Sequence, residues 1–99
     1  MTGKIKYEFT TTLWQHSATG GWHFASLPEA TATEIRTLLK SSEEGWGRLK
    51  ATAKIDTTEW KTAIWFDTKR NTYLLPVKAN IRSKEKLTLG TAITVVIWV

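Results

Sequence analysis

The amino-acid sequence predicts a mainly β domain, a small barrel of about six to seven strands with two short capping helices. Three observations lead there. Several segments alternate apolar and polar residues with a period of two, the pattern of half-buried strands. Two of the apolar runs end on Leu-Pro and pass into a short segment closing on Ile-Arg, FASLPEATATEIR and YLLPVKANIR. The whole unit of strand, Leu-Pro, helix, Gly-containing turn and strand then recurs, once over 22–55 and again over 73–99. Residues 1–99 are read as one domain, since a chain of this length can bury a single core.

KIKYEFTTTLW opens the chain with Ile5, Tyr7, Phe9, Thr11 and Leu13 on one face and polar residues on the other. QHSATGG is a polar, glycine-ended loop, and GWHFASL is a short aromatic strand. Pro28 stops that strand because it has no N–H to donate. Thr31 and Glu34 have the spacing of a capping box, and Ile35, Leu38 and Leu39 form an apolar helical stripe ending near Lys40. WGRLKATAKID alternates again, with Leu49, Ala51, Ala53 and Ile55 together, and DTTE turns the chain into EWKTAIWF. DTKRN has hairpin length, so TYLL is expected to pair back. After Pro76 comes a second short helix in VKANIRSKEKL, then LTLG and the strand TAITVVIWV. Alternation fails in that last strand, which predicts burial on both of its faces.

The repeat implies a pseudo-twofold barrel in which one chain supplies both halves; chance recurrence of a common dipeptide is the competing account. YLLPVKANIRSKEKLTLGTAITVVIWV resembles one protomer of the AbrB/MazE swapped-hairpin family, where two chains interlock into one barrel. Over a longer stretch, YEFTTTLW, GGWHFASLP, EIRTLL, GWG, YLLPVKANIR and TVVIWV are similar to the bacterial and archaeal domain of unknown function nineteen-oh-five. That likeness runs from about Lys4 to Val99, and its most specific piece is YLLPVKANIR. It implies a double-split, pseudo-dimeric β-barrel and brings no catalytic residues with it. Some members carry a following bacteriocin-protection domain, which is not expected before Val99.

Composition narrows the chemistry. The chain has no cysteine, so disulfides, thiolate metal sites and Cys nucleophiles are excluded. No basic start followed by a long apolar run reads as a signal peptide, and VVIWV is far too short to span a bilayer. A cytoplasmic protein without membrane association is expected, as a monomer or weak homodimer. His16 and His23 are the only histidines, and no metal-ligand or nucleophile-elbow spacing accompanies them. No cofactor and no catalytic set is therefore assigned, and the expectation is a non-enzyme.

The net charge of +5 is concentrated. Between Asp67 and Lys86, six basic residues (Lys69, Arg70, Lys78, Arg82, Lys84 and Lys86) meet two acids, which leaves +4; the rest of the chain has eight basic against seven acidic residues, or +1. A local excess of this kind attracts anions, nucleic acid included. Lys78, two residues after Pro76, is expected in the first turn of its helix, where a cation opposes the helix dipole. With Arg82 on the same face it would form an anion site. The competing account is that both cations lie along the barrel with their ends in water, paired with Glu8 or Glu59. Lys69 and Arg70 are placed at a hairpin tip, where solvated loop charge is the simpler explanation.

Trp60 shares a face with Ile64 and Phe66 and belongs to the core. Trp14 and Trp65 fall opposite the apolar faces of their strands, and Trp22 and Trp46 stand beside glycines at strand starts. These four are candidates to line a groove or stack on bases, unless the helices cover them. The functional expectation is a binding module for nucleic acid or another anionic ligand through the basic surface at 69–86. The alternative is a small-ligand, peptide-binding or bacteriocin-protection-related module that uses the tryptophans; an enzyme ranks last.

Overall fold

The computed structural model describes residues 5–16 and 21–99, with the Trp46 side chain excepted. Lys4 and most of the QHSATGG loop lie outside these. Six strands, β1 (Lys6–Gln15), β2 (His23–Ser26), β3 (Arg48–Ile55), β4 (Thr58–Asp67), β5 (Thr72–Pro76) and β6 (Ala92–Trp98), are joined with two helices, α1 (Glu29–Leu39) and α2 (Ala79–Lys84). The strands close in the order β1-β2-β5-β4-β3-β6, every neighbour antiparallel, so no edge is left unpaired. The mainly β barrel with two short helices is thus present, with six strands.

The repeat read from the sequence is written into the hydrogen-bond registers. A half-turn that carries Leu27-Pro28 onto Leu75-Pro76 sends the pair Ala25/Leu75 to Tyr73/Leu27, and Leu27 N–H does donate to Tyr73 C=O at 3.0 Å. The same operation turns Leu13↔Ala25 into Phe66↔Tyr73, and Lys6↔Trp98 into Glu59↔Lys54. The pair Ala53↔Ile97 maps onto itself. All six ladders keep their register, so the two halves are equivalent in pairing even though α1 has 11 residues and α2 has 6.

The core fills the cylinder from the inward faces: Phe9 and Leu13 from β1, Leu49, Ala51, Ala53 and Ile55 from β3, Ile93, Val95 and Ile97 from β6. The alanines of β3 belong to this core, and both Ala51 and Ala53 are wholly buried. Ala32 and Ile35 of α1 and Ile81 of α2 close the ends of this core. Neither helix is long and apolar enough to cross a membrane.

Three local expectations need correction. No capping box forms: Pro28 is the N-cap, its carbonyl accepting from Ala32 N–H at 2.9 Å, so α1 starts at Glu29 and Thr31 and Glu34 lie inside it. With that start the buried stripe is Ala32 and Ile35 with Leu39 behind them, while Leu38 turns to solvent. The last strand alternates after all, Ile93, Val95 and Ile97 inward and Val96 and Trp98 half-exposed, with the Lys6 ammonium 6.0 Å from the Trp98 ring. The strand buried on both faces is β5, from Thr72 to Pro76.

Both tyrosines are held protonated. For Tyr73, burial first and then its hydrogen bond to the Glu43 carboxylate raise the pKa well above the usual phenol range, against a smaller opposing effect of Arg36. For Tyr7, burial and the neighbouring Glu34 carboxylate push it up to about 12. The half-turn relates Tyr7 to Trp60, and the Tyr7 hydroxyl and Trp60 indole nitrogen are both buried short of a hydrogen bond of standard geometry. A raised folded-state pKa means stability that is complete below the unfolded value of about 10 and lost as pH rises through the folded values. Phenolate absorbance should therefore stay low past pH of about 10.5 and then appear together with unfolding. Two ordinary tyrosine titrations in the folded protein would contradict this.

Candidate functional site

The basic surface expected over 69–86 is not continuous. Lys69 and Arg70 sit in the β4–β5 turn, whereas Lys78 and Arg82 lie beyond the far end of β5, whose five residues span roughly 16 Å. Chain proximity had grouped what an extended strand separates. At the turn, Asp67 accepts from the Lys69 and Arg70 N–H groups at 2.9 and 3.3 Å and from the Arg70 guanidinium at 2.8 Å. Burial alone would raise the Asp67 pKa, but these donors outweigh it and hold the carboxylate below its usual range. The turn is a self-neutralised loop with one exposed lysine. Lys84 and Lys86 are exposed on either side of Glu85, whose carboxylate accepts from the Thr57 and Thr58 hydroxyls. That region, bordered by Asp56, is of mixed sign.

Lys78 and Arg82 remain. Lys78 is the N-cap of α2, not a first-turn residue: its extended backbone (φ −70°, ψ 160°) directs its carbonyl to the Ile81 and Arg82 N–H groups at 3.1 and 3.0 Å. Its side chain is exposed and makes no capping bond. The Arg82 guanidinium donates to Val77 C=O at 2.8 Å, which pins it against the barrel rim. Neither pairs with Glu8 or Glu59, and among the described residues neither takes part in an ion pair. Together with Gly21, Trp22, His23, Pro76, Val77 and Ala79 they border a hollow of about 220 Å³ with no carboxylate in its lining. Gly21 makes this wall possible: its φ is +61°, and a Cβ there would stand 2.6 Å from the Gln15 amide nitrogen.

Next to it, across Trp22 and Pro76, lies a larger hollow of about 430 Å³ lined by His16, Trp22, Phe24, Trp65, Leu74 and Pro76. Cross-strand register builds it. Trp14, Phe24 and Pro76 form one row on the outer wall, and Ser26, Leu74, Trp65 and Arg48 form the next. Trp22 and Phe24 are nearly parallel, 13° apart with centroids at 6.2 Å, and Trp22 is 61% exposed. Among the described residues, none that lines this hollow belongs to a helix.

Of the four tryptophans proposed for a groove, Trp22 and Trp65 line it. Trp14 borders it but is engaged: its ring packs on Phe24 at 5.2 Å, its indole N–H donates to Ser26 Oγ at 2.8 Å, and the Arg70 guanidinium lies 4.3 Å from its centroid. The Trp46 side chain lies outside the described residues. Trp60 is partly buried against the core, as expected. Phe24, Leu74 and Pro76 were missed by sequence reasoning. The available signal was the uninterrupted apolar run YLLP, which marks a strand covered on both faces.

Among the described residues no group of three His, Cys, Asp or Glu is placed to hold a metal ion. His23 Nδ1 lies 2.6 Å from Gly21 C=O, so His23 braces the loop before β2.

This geometry defines a single-chain six-stranded barrel with two internally equivalent halves and one aromatic outer wall. A family model described as Domain of unknown function (DUF1905) matches residues 9–97, and the chain belongs to that family. No curated protein matches it.

Iodide should reach Trp22 more readily than Trp14, both through its exposure and through the adjoining cations. Replacing Trp22 with Phe is expected to remove a substantial share of iodide quenching of the intrinsic fluorescence, and Trp14→Phe a much smaller one. Equal quenching in wild type and the Trp22 variant would show that this ring is covered.

Proposed function

We propose that this barrel is a non-enzymatic binding module for an anionic ligand, which it takes in the hollow bordered by Lys78 and Arg82. The carrying observation is concavity without counter-charge: two cations, one held rigidly by its bond to Val77, meet at a depression with no acid in its lining. Clefts of one sign focus potential and raise the local concentration of the opposite charge. A non-enzymatic role is supported by the engagement of the reactive-looking groups, since Tyr73 is closed on Glu43 and Glu85 on two threonine hydroxyls.

In this reading the protein acts in the bacterial cytoplasm as a monomer or weak homodimer. Nucleic acid is the macromolecular form of the anion, in keeping with the likeness to the AbrB/MazE barrels, which rests on fold pattern alone. A small-molecule form is favoured by one separate observation, the aromatic hollow beside the cationic one.

Lys78→Asp tests the site and its cost at once. Aspartate at the N-cap can accept from the free N–H groups of α2 and suits the helix dipole, which should stabilise the fold by about 0.5–1 kcal/mol. The same change reverses the charge at the hollow. The expected result is a raised urea midpoint with loss of binding to inorganic phosphate and to a short single-stranded oligonucleotide at low salt. For the wild-type protein, oligonucleotide affinity should fall steeply with added salt. Absence of binding to both probes at low salt would dispose of the reading.

A further inference from the structure

The two hollows share a wall. Trp22 and Pro76 line both, so a molecule seated in one needs only a short arm to pass Trp22 into the other. Their chemistry is opposite. The smaller has Lys78 and Arg82 at its rim. Among the described residues, the larger is lined by three aromatic rings, a leucine and a proline, with the His16 imidazole beside them. A site with an apolar bed and a cationic end, meeting at the shared Trp22 and Pro76, fits a ligand divided the same way.

We propose that the larger hollow seats the ring of an aromatic carboxylate whose charged group lies against Lys78 and Arg82. This rests on the anion-binding reading given above and names the ligand class for that site. A flat ring is favoured over an alkyl chain because the lining is itself flat: Trp22 and Phe24 are nearly parallel, and Trp65 and Pro76 add further ring surface. Ring faces of this kind gain from offset stacking beyond the area they bury. An apolar ring is favoured over a nucleobase because a base brings several edge donors and acceptors, and against these the described lining sets only the His16 imidazole and the indole N–H groups of Trp22 and Trp65. The volume of about 430 Å³ lies within the range of small-molecule sites. The bordering cations at the other sides are already committed, Arg48 to Glu44 and Arg70 to Asp67, so the charge for the ligand comes from the Lys78 end.

Calorimetric titration of the intact chain with four probes separates the parts. 3-Phenylpropionate and indole-3-propionate carry ring and charge, propionate carries the charge alone, and 3-phenylpropionamide the ring alone. Both ring-bearing carboxylates should bind at least about tenfold more tightly than propionate or the amide, from the ring area removed from water on one side and the charge on the other. Trp65→Ala, at a ring that lines only the larger hollow, should reduce 3-phenylpropionate binding by about tenfold while leaving inorganic phosphate binding unchanged. Lys78→Asp should abolish both. Phe24→Leu offers a second ring-side variant should Trp65→Ala disturb the wall, with unchanged phosphate binding again reporting an intact cationic hollow.

If 3-phenylpropionate binds no better than propionate while phosphate still binds, the ring subsite is wrong and the anion site stands. If the amide binds as tightly as the carboxylate, the charged group does not reach the cationic end and the proposed ligand class falls; the anion-site reading falls with it only if inorganic phosphate also fails to bind. Adenosine monophosphate or an oligonucleotide binding more tightly than either aryl propionate would overturn the proposed ligand class and leave the anion site in place.

Discussion

The barrel closes through one short seam. β2 and β5 meet over only a few residues, from the Val77 N–H to His23 C=O bond at 2.9 Å to the Leu27 N–H to Tyr73 C=O bond at 3.0 Å. The Thr72 hydroxyl adds a buried bond to Leu27 C=O at 2.7 Å. Each strand ends its pairing at a Leu-Pro step, where the proline supplies no donor and its set φ suits departure into a helix. Without this joint, the β1–β2 hairpin and the β3–β4–β5 meander would be held together by β6 alone. The aromatic wall lies across the same joint, because Phe24 and Ser26 stand on one side and Leu74 and Pro76 on the other. The candidate site and the closure of the fold therefore depend on the same few residues, and any occupant of the wall bridges both halves.

Charge counting along the chain was a poor guide to charge in space. Each arginine that borders the wall on the β3 and β4 side is answered by a carboxylate three or four residues away. Such exposed pairs contribute little to stability, about 0–1 kcal/mol, yet they do remove the positive potential that a local tally ascribes to those positions. Lys78 and Arg82 remain the candidate site because no acid lines the hollow they border, with Glu85 turned instead toward Thr57 and Thr58.

Much of the fold was legible because its main signals are periodic. Strands with one wet face announce themselves through alternation, and the two Leu-Pro steps marked both strand ends and both helix starts. The outward direction of Trp14 and Trp65 followed from the same period. What failed depended on one residue of phase or on tertiary cover. Thr31 and Glu34 satisfy the capping pattern, but Pro28 had already begun the helix three residues upstream, which also swung Leu38 away from the core. In β6 the apolar outer residues Val96 and Trp98 suggested a covering layer that the fold does not supply. In β5 the burial is real, and the residues beside its outer Leu74 and Pro76 include Trp65 and Phe24 of neighbouring strands, which no local window contains. The hollow was invisible for this reason: its lining is drawn from β2, β4, β5 and the loop before β2, joined only through cross-strand register.

The half-turn that preserves every ladder does not preserve the wall. It sends Phe24 to Thr72 and Trp65 to Thr12, and exchanges Leu74 with Ser26 within a single pair, so the counterparts of these two rings are threonines. A barrel assembled from two identical chains must display such a depression twice or never. By joining both copies in one polypeptide, the protein is free to specialise one flank and leave its counterpart plain, and so to accommodate a lopsided guest with a single stoichiometry.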